Sequence, residues 1–380
     1  MMISNFPNNL VKEILSRVPL TSMRAVRLTC KKWNDLTKCQ SFTKIHIGKA
    51  LAAAKEGESQ MIVMMGNNLY LTSIIINGDP STEHKGKLTC LDEQVKISKF
   101  FHCEGLLLCI LKDDPKFLVW NPYLGQPRWI EFRFTHPPNA MNRFSYALGY
   151  DDKKSQSCRS HKFLRFIDSY YQYDPEKQFF LGNTYWCAAK RNEDVEDVFA
   201  DCIICFDFTS ERFGPLLPLP CSGGYHDYTT LSCVREEKLA LLLQHDESNP
   251  YELDLWFTTK IETEEVLWSK FLRVETAGFD SYVPHICGGF FIDEEKKLAI
   301  GFDEDNRHSV IVIGEANYLK ALDLGGDFGH QYRPDMCSYV PSLVQIKQPA
   351  GGEGKQHSDL EKIRYYENMS RLVSRGPNLF

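Results

Sequence analysis

Asn5-Phe6-Pro7-Asn8-Asn9-Leu10-Val11-Lys12-Glu13-Ile14-Leu15-Ser16-Arg17-Val18-Pro19 opens the chain, followed by Ser22-Met23-Arg24-Ala25-Val26-Arg27-Leu28-Thr29-Cys30-Lys31-Lys32-Trp33-Asn34-Asp35-Leu36. Pro7 suits the first turn of a helix, where its missing N–H would have no partner anyway. Phe6, Leu10, Ile14 and Val18 recur every four residues and Leu15 widens the stripe, so one face is apolar. Pro19 disfavours helical geometry at Val18 and predicts the helix end there. Thr21 or Ser22 is placed to cap a second helix carrying Met23 and Val26. Thr29 is placed to cap a third, in which Trp33 and Leu36 share a face. The pattern predicts a three-helix unit over residues 1–47. Fewer than about 50 residues cannot bury three apolar faces on themselves alone. A stripe this rich is therefore expected to be half of an interface, the alternative being a helical cap packed on the chain's own body.

The remaining composition is that of a soluble globular protein, with 43% hydrophobic and 25% charged residues in 380. The longest unbroken apolar run, Leu106 to Leu111, is far short of a membrane span. No signal sequence precedes the first helix, so the expected location is the cytoplasm and/or nucleus. The 13 cysteines show no repeated framework and are expected to be free thiols in a reducing compartment. The sequon Asn368-Met369-Ser370 then carries no weight.

Charge is unevenly shared. Residues 1–49 hold nine Lys/Arg against Glu13 and Asp35, a net of +7; the whole chain is −6, which leaves −13 for residues 50–380. A basic three-helix head could suit nucleic acid. The acidic body would repel phosphates and no basic arm appears elsewhere, so an acidic protein partner is the better expectation.

After an Ala/Lys/Gly-rich connector, residues 48–60, the texture changes to short β-rich runs broken by Gly, Pro, Asn and Asp. Taking Leu71, Trp120, Arg165, Phe206, Trp256 and Val312 as markers of similar runs, the intervals are 49, 45, 41, 50 and 56 residues. That is the period of propeller blades, roughly 40 to 50 residues. Runs such as 105–110, 239–243 and 298–301 are continuously apolar and fit inner strands packed on both sides. The expected fold is a small all-α N-terminal unit followed by an all-β domain, residues 61–346, forming a six-bladed β-propeller, with seven as the alternative count. A sandwich would need far fewer residues and a TIM barrel would show long helices between strands. Residues 347–380 read as a flexible C-terminal tail.

The opening stretch resembles the F-box: a hydrophobe-Pro start, then Leu10-Val11-x-Glu13-Ile14-Leu15-x-Arg17-Val18-Pro19, then Val26-Arg27-x-Thr29-Cys30-Lys31-x-Trp33-Asn34-x-Leu36. Phe6 stands where that family usually has Leu, keeping the apolar anchor in a different shape. The body resembles the plant F-box-associated type 1 region. The matching phrases include Trp120-Asn121-Pro122-Tyr123-Leu124-Gly125, Ala147-Leu148-Gly149-Tyr150-Asp151, 206–213 and Tyr339-Val340-Pro341-Ser342-Leu343. Together the resemblances imply a non-catalytic substrate-recognition adaptor of a Skp–cullin–F-box ubiquitin ligase. Phe6, Pro7, Leu10, Ile14, Leu15, Val18 and Pro19 would dock on the Skp-type subunit. Val26 and Trp33 would support the helices from behind, and Arg24, Arg27, Lys31 and Lys32 would steer the encounter. The β domain would bind an unidentified protein substrate, with no nucleic acid, membrane or cofactor involved.

No phosphate loop, His-Glu-x-x-His pair, Gly-x-Ser-x-Gly elbow or kinase signature is present. Cys202-x-x-Cys205 lies within an expected strand, where residues three apart point to opposite faces, so two packed thiols are expected rather than a metal site. The acidic stretches 193–197 with Asp201, and 303–306, lack calcium-loop spacing and read as solvated connections. His102, His226, His285 and His330, and Tyr225, Tyr228 and Tyr282, stand near turns as candidate contact residues. The alternatives kept open are a propeller-class hydrolase or oxidase working at the central channel, and a scaffold acting outside any ligase.

Overall fold

The structure, a computed structural model, describes residues 6–55, 57–76, 79–88, 95–112, 116–131, 144–151, 159–167, 177–180, 183–188, 202–220, 227–234, 238–245, 252–262, 264–275, 285–303, 309–324, 335–346, 363 and 366–367. It opens with four helices: α1 (Asn8–Leu15), α2 (Met23–Thr29), α3 (Lys31–Lys38) and α4 (Gln40–Lys55), with a 3-10 turn at Leu20–Ser22. The helical unit is thus one helix larger than expected. The expected connector 48–60 is largely the end of α4, and the first strand begins at Glu58. The physical reason is in the connector itself: Lys49-Ala50-Leu51-Ala52-Ala53-Ala54-Lys55 is built from the strongest helix formers, and Gly48 is insufficient to break them. The capping expectations change too. Thr21 Oγ1 donates to Lys85 O of the β domain at 3.0 Å, and Thr29 Oγ1 donates back to Ala25 O at 3.0 Å, so neither caps a helix.

Among the described residues twenty-two strands follow. The first blade contains β1 (Glu58–Met65), β2 (Asn68–Ile75) and β3 (Ser81–Lys87). The second is β4 (Ile97–Cys103), β5 (Leu106–Leu111), β6 (Lys116–Asn121) and β7 (Gln126–Glu131). A two-stranded sheet, β8 (Phe144–Tyr150) with β9 (His161–Ile167), comes next. The third blade is β10 (Lys177–Phe180), β11 (Asn183–Ala188), β12 (Cys202–Asp207) and β13 (Arg212–Pro218). The fourth is β14 (Asp227–Val234), β15 (Lys238–His245), β16 (Glu252–Ile261) and β17 (Val266–Glu275). The fifth is β18 (Ile286–Asp293), β19 (Leu298–Asp303), β20 (Ser309–Gly314) and β21 (Tyr318–Asp323). The last strand, β22 (Asp335–Ser338), returns to the first blade.

Among the described residues the propeller has five four-stranded blades and one half-blade, not six or seven full blades. The markers explain the discrepancy. Leu71, Trp120, Phe206, Trp256 and Val312 fall in β2, β6, β12, β16 and β20, whereas Arg165 falls in β9 of the half-blade. One apolar run makes a strand; it does not certify the other three. The runs read as inner strands are β5, β15 and β19, second in their blades, while the axial strands meet in the order β4, β8, β10, β14, β18 and β22. Second strands are paired on both edges and covered on both faces, so they are the most apolar.

The apolar core lies in layers between adjacent sheets. Leu107, Cys109, Leu118 and Trp120 of the second blade pack on Ile62, Leu69 and Leu71 of the first; corresponding layers follow around the ring. Closure is made by β22, whose register against β1 runs Met61↔Ser338, Ile62↔Cys337, Val63↔Met336 and Met64↔Asp335. The segment after β22 crosses the second blade. Fully buried Asn121 donates from Nδ2 to Ser342 O at 3.2 Å and Val344 O at 2.8 Å, and accepts from Leu124 N–H at 3.0 Å. The β4–β5 turn passes so close that a Cβ on Gly105, at φ +74°, would lie 2.5 Å from Ser342 Oγ.

Asn121→Ala would strand three backbone groups in the interior at about 1–3 kcal/mol each. We expect it to lower the urea midpoint at unchanged slope. An unaltered midpoint would mean that water reaches these groups.

Candidate functional site

The helical unit is organised around α1. Val11 and Leu15 face inward and, with Met23 of α2 and Phe42 of α4, form a core on which Phe6, Val18, Val26, Trp33 and Leu36 pack. Leu10 and Ile14 lie one position around α1 from Val11 and Leu15, at 45% and 40% exposure. One turn apart, they make a single apolar ridge facing solvent. Leu28 of α2, at 76% exposed, and Ile45 of α4, at 39%, are further uncovered apolar groups of the unit. The four-residue stripe of α1 points to neither, because Leu28 lies on α2 and Ile45 on α4.

The expected docking residues divide accordingly. Leu10 and Ile14 are on the open face, and Pro7 and Pro19 are exposed at the starts of α1 and of the 3-10 turn. Phe6 and Val18 are half-buried against the helical core. Leu15, at 3% exposed, belongs to that core and is not on the open face. The reason is helical phase: Val11 and Leu15 share the core-facing side, one residue around from Leu10 and Ile14.

Exposed Arg17, Arg24, Lys31, Lys32, Lys38 and Lys44 give the unit a positive rim. Glu13, the acid on α1, accepts from Lys49 at 3.0 Å and from Arg17 at 3.2 Å, and these hydrogen bonds hold its carboxyl below the usual range. Arg27, expected to steer a partner, is turned inward. Its Nε donates to Thr37 Oγ1 at 3.3 Å and its guanidinium lies 5.7 Å from the Tyr123 ring centroid, where burial lowers its pKa.

Arg27 marks a seam between head and propeller. His46 Nε2–H donates to Val18 O at 2.9 Å, with the ring stacked on Phe42 and 5.5 Å from Tyr123. Burial lowers the pKa of His46, against the opposing pull of its hydrogen bond to Val18 O. Leu20 and Ile47 join the apolar layer of the first and second blades. The head is therefore seated on the ring and not hung from a tether.

The other candidate residues have structural surroundings. His102 Nε2 accepts from Gly105 N–H at 3.0 Å and its ring lies against Tyr339 at 5.8 Å. Burial pushes its pKa down from 6.5 to about 4. The folded chain then binds fewer protons than the unfolded chain between those values, so stability falls as pH drops from 6.5 towards 4. We expect the thermal midpoint to fall across that window, and His102→Gln, which keeps an acceptor for Gly105 N–H, to shallow the fall. Tyr228, 52% exposed, meets His285 edge-on at 5.4 Å.

Cys202 Sγ donates to Ala188 O at 3.1 Å, and burial raises the Cys205 thiol to about 12. The two are buried strand residues, and among the described residues no metal-holding cluster is found. Asp303 is buried at the end of β19. His226, His330, Tyr225, Tyr282, the acidic stretch 193–197, Asp201 and residues 304–306 lie outside the described residues. No described helix is long and apolar enough to cross a membrane.

A small helical head with an uncovered apolar ridge, seated on a ring of β-blades, defines a helical-head-and-propeller protein. The chain belongs to the F-box proteins that carry an F-box-associated β-propeller. Residues 3–45 match the F-box domain, and residues 60–181 and 173–346 match the F-box associated beta propeller domain in two overlapping pieces. An F-box protein of Arabidopsis thaliana is 50% identical over 420 residues, covering 98% of this chain and 97% of the relative. An F-box/kelch-repeat protein of the same plant is 49% identical over 415 residues, covering 97% and 95%. Among solved structures, apo AztD from Citrobacter koseri aligns at a TM-score of 0.34 and 10% identity over 74% of this chain and 98% of that one, too distant to carry an argument. Members of this family are in general non-catalytic adaptors of ubiquitin ligases.

Proposed function

We propose that this chain is the substrate-recognition adaptor of a Skp–cullin–F-box ligase, docking on the Skp-type subunit through the open face of its helical head. The observation that carries this is the solvent exposure of Leu10 and Ile14, two large apolar groups one turn apart that the propeller leaves uncovered. Phe6, Pro7, Val18 and Pro19 would add to the contact, Leu28 is a further exposed apolar group of the head, and the basic rim would speed encounter with an acidic partner. Leu15 acts from inside, holding α1 in place. The propeller would bind the protein to be ubiquitinated. Because the head is packed on the first two blades, a bound protein is held in a fixed orientation toward the ligase. The contribution is effective concentration, not bond-making by this chain. Free thiols suit work in the cytoplasm or nucleus.

Co-expression with a Skp-type subunit should yield a complex that survives affinity purification and size exclusion. Properly folded chain that elutes alone, at micromolar concentrations of both, would refute the adaptor reading.

A further inference from the structure

The seam between head and propeller gathers polar groups that the described residues do not satisfy. Arg27 Nη2 and His46 Nδ1 of the head, and Tyr123 OH of the β6–β7 turn, are buried without a hydrogen-bond partner among them. Such groups are uncommon in folded proteins and call for a reason. Arg27 is the sharpest case. Its side chain makes one hydrogen bond, from Nε to Thr37 Oγ1, and one ring contact, with Tyr123. The groups that favour its charge are the Tyr123 and Tyr339 hydroxyls, with no carboxylate among them. Burial pushes the pKa of both hydroxyls up, so both stay neutral. A guanidinium drawn out of water with no anion to face is costly.

A cleft of about 250 Å³ opens beside this cation. It is lined by Lys38 at the end of α3, Leu124 and Gln126 where β6 turns into β7, and Leu343 and Gln345 of the segment after β22. Three elements meet there, so the cleft exists only because the head is seated on the ring. Thr37, which accepts from Arg27, directly precedes Lys38. Gly125, between Leu124 and Gln126, is exposed at φ +63°, and a Cβ built on it would lie 3.6 Å from Arg27 Nη1. The guanidinium thus stands behind the cleft wall at the one residue there that has no side chain.

The lining has one sign. Lys38 is exposed and makes no ion pair among the described residues, and no Asp or Glu is among the described residues of the wall. Gln126 Oε1 is buried without a partner, and the same amide turned over presents its NH2 instead. A free ammonium, two side-chain amides and a guanidinium behind them suit a phosphate group, which takes two cations and several N–H donors. The volume is several times the roughly 30 Å³ of a water and below the roughly 300–1,000 Å³ of drug-sized sites, which fits a small molecule and not a peptide.

We propose that this seam binds the phosphate group of a small molecule, held by Lys38 and the amides of Gln126 and Gln345 in the field of the Arg27 guanidinium. The bound anion would neutralise Arg27 and tie α3 to the β6–β7 turn and to the segment after β22. It would thereby stiffen the joint that sets the head's orientation on the ring. The site stands whether or not the chain works in a ligase.

The test is calorimetric titration of the full chain in Tris chloride at constant ionic strength, with inorganic phosphate in one arm and glycerol 3-phosphate in the other. One saturable site per chain is expected. Binding of both probes identifies a site open to phosphate esters, and binding of inorganic phosphate alone identifies a site for the free ion. Lys38→Glu should weaken binding at least about tenfold, and Arg27→Met should do the same. Phosphate also strengthens apolar burial in any protein, so a rise in thermal midpoint counts only as the difference between wild type and Lys38→Glu. Arg27→Met removes the unpaired charge and should leave the midpoint without phosphate level or raised. Lys38→Glu, at an exposed position, carries the test if Arg27→Met does not fold. Two results would overturn the proposal. One is no saturable binding of either probe at millimolar concentration, which would leave the orphaned groups to water. The other is binding that Lys38→Glu leaves unchanged, which would put the anion elsewhere.

Discussion

A chain ending at residue 334 is expected to yield no cooperatively folded propeller. The cut removes β22, the strand that closes the ring, and so leaves the axis-side edge of β1 without a partner. Its four register pairs hold Met61 to Met64, and Tyr339 N–H extends the ladder to Gln60 O at 3.0 Å. Met336, 4% exposed, sits in the layer between the first and fifth blades with Met61, Val63 and Phe302. Tyr339, 2% exposed, sits in the layer between the first and second. Each large side chain so buried is worth about 1.5–3 kcal/mol. Losing two of them, the ladder and the Asn121 contacts together approaches the whole stability of a typical domain, about 5–15 kcal/mol. A bare β1 edge would also invite aggregation. The measurement is the thermal transition by near-ultraviolet circular dichroism, with a chain ending at 346 as the matched control because it keeps all these contacts. Met336→Asp, an unpaired charge in the same layer, should cost about 3–5 kcal/mol and reproduces the defect without truncation. A sharp transition near that of the control in the 334 chain would show that the other layers close the ring unaided.

How far the sequence carries depends on which interactions decide each feature. The helices and the blade texture were readable because they follow from local periodicity: Leu10 and Ile14 four apart, 239–243 apolar without interruption. The extent of the head was misjudged because absence of an apolar stripe in 49–55 looked like absence of structure, although alanine favours a helix with no stripe at all. Blade number depends on non-local pairing. Phe163, Leu164 and Phe166 announce β9, but nothing in them reports whether two more strands follow. The direction of Arg27 was unreadable for a similar reason, since Tyr123, which draws it inward, is 96 residues away in sequence. Leu15 could have been assigned correctly. Val11 and Leu15 form their own i, i+4 pair, and that pair turns out to face the head's core while Leu10 and Ile14 do not.

Leu10→Asp with Ile14→Asp is expected to abolish co-purification with a Skp-type subunit while leaving the fold intact. Neither side chain belongs to the head's core of Val11, Leu15, Met23 and Phe42, and both already carry 40% or more of their surface in water. The free chain therefore loses little by the change, a few tenths of a kcal/mol being usual for such surface sites. Docking would bury what is now exposed. Full burial of a Leu or Ile is worth about 1.5–3 kcal/mol, and the fraction still uncovered makes about half of that available at each position. The two together supply on the order of 2 kcal/mol, and carboxylates placed in the dried contact add a further desolvation penalty of several kcal/mol. The sum corresponds to a loss of at least about a thousandfold in affinity. Matched elution and far-ultraviolet spectra of wild type and double variant establish that the head is folded. Val11→Asp, which strikes the core instead, should lose the helical signal and so separate unfolding from loss of contact. A double variant that still co-elutes with the Skp-type subunit would place docking on another face of the head, with Leu28 and Ile45 the next residues to change.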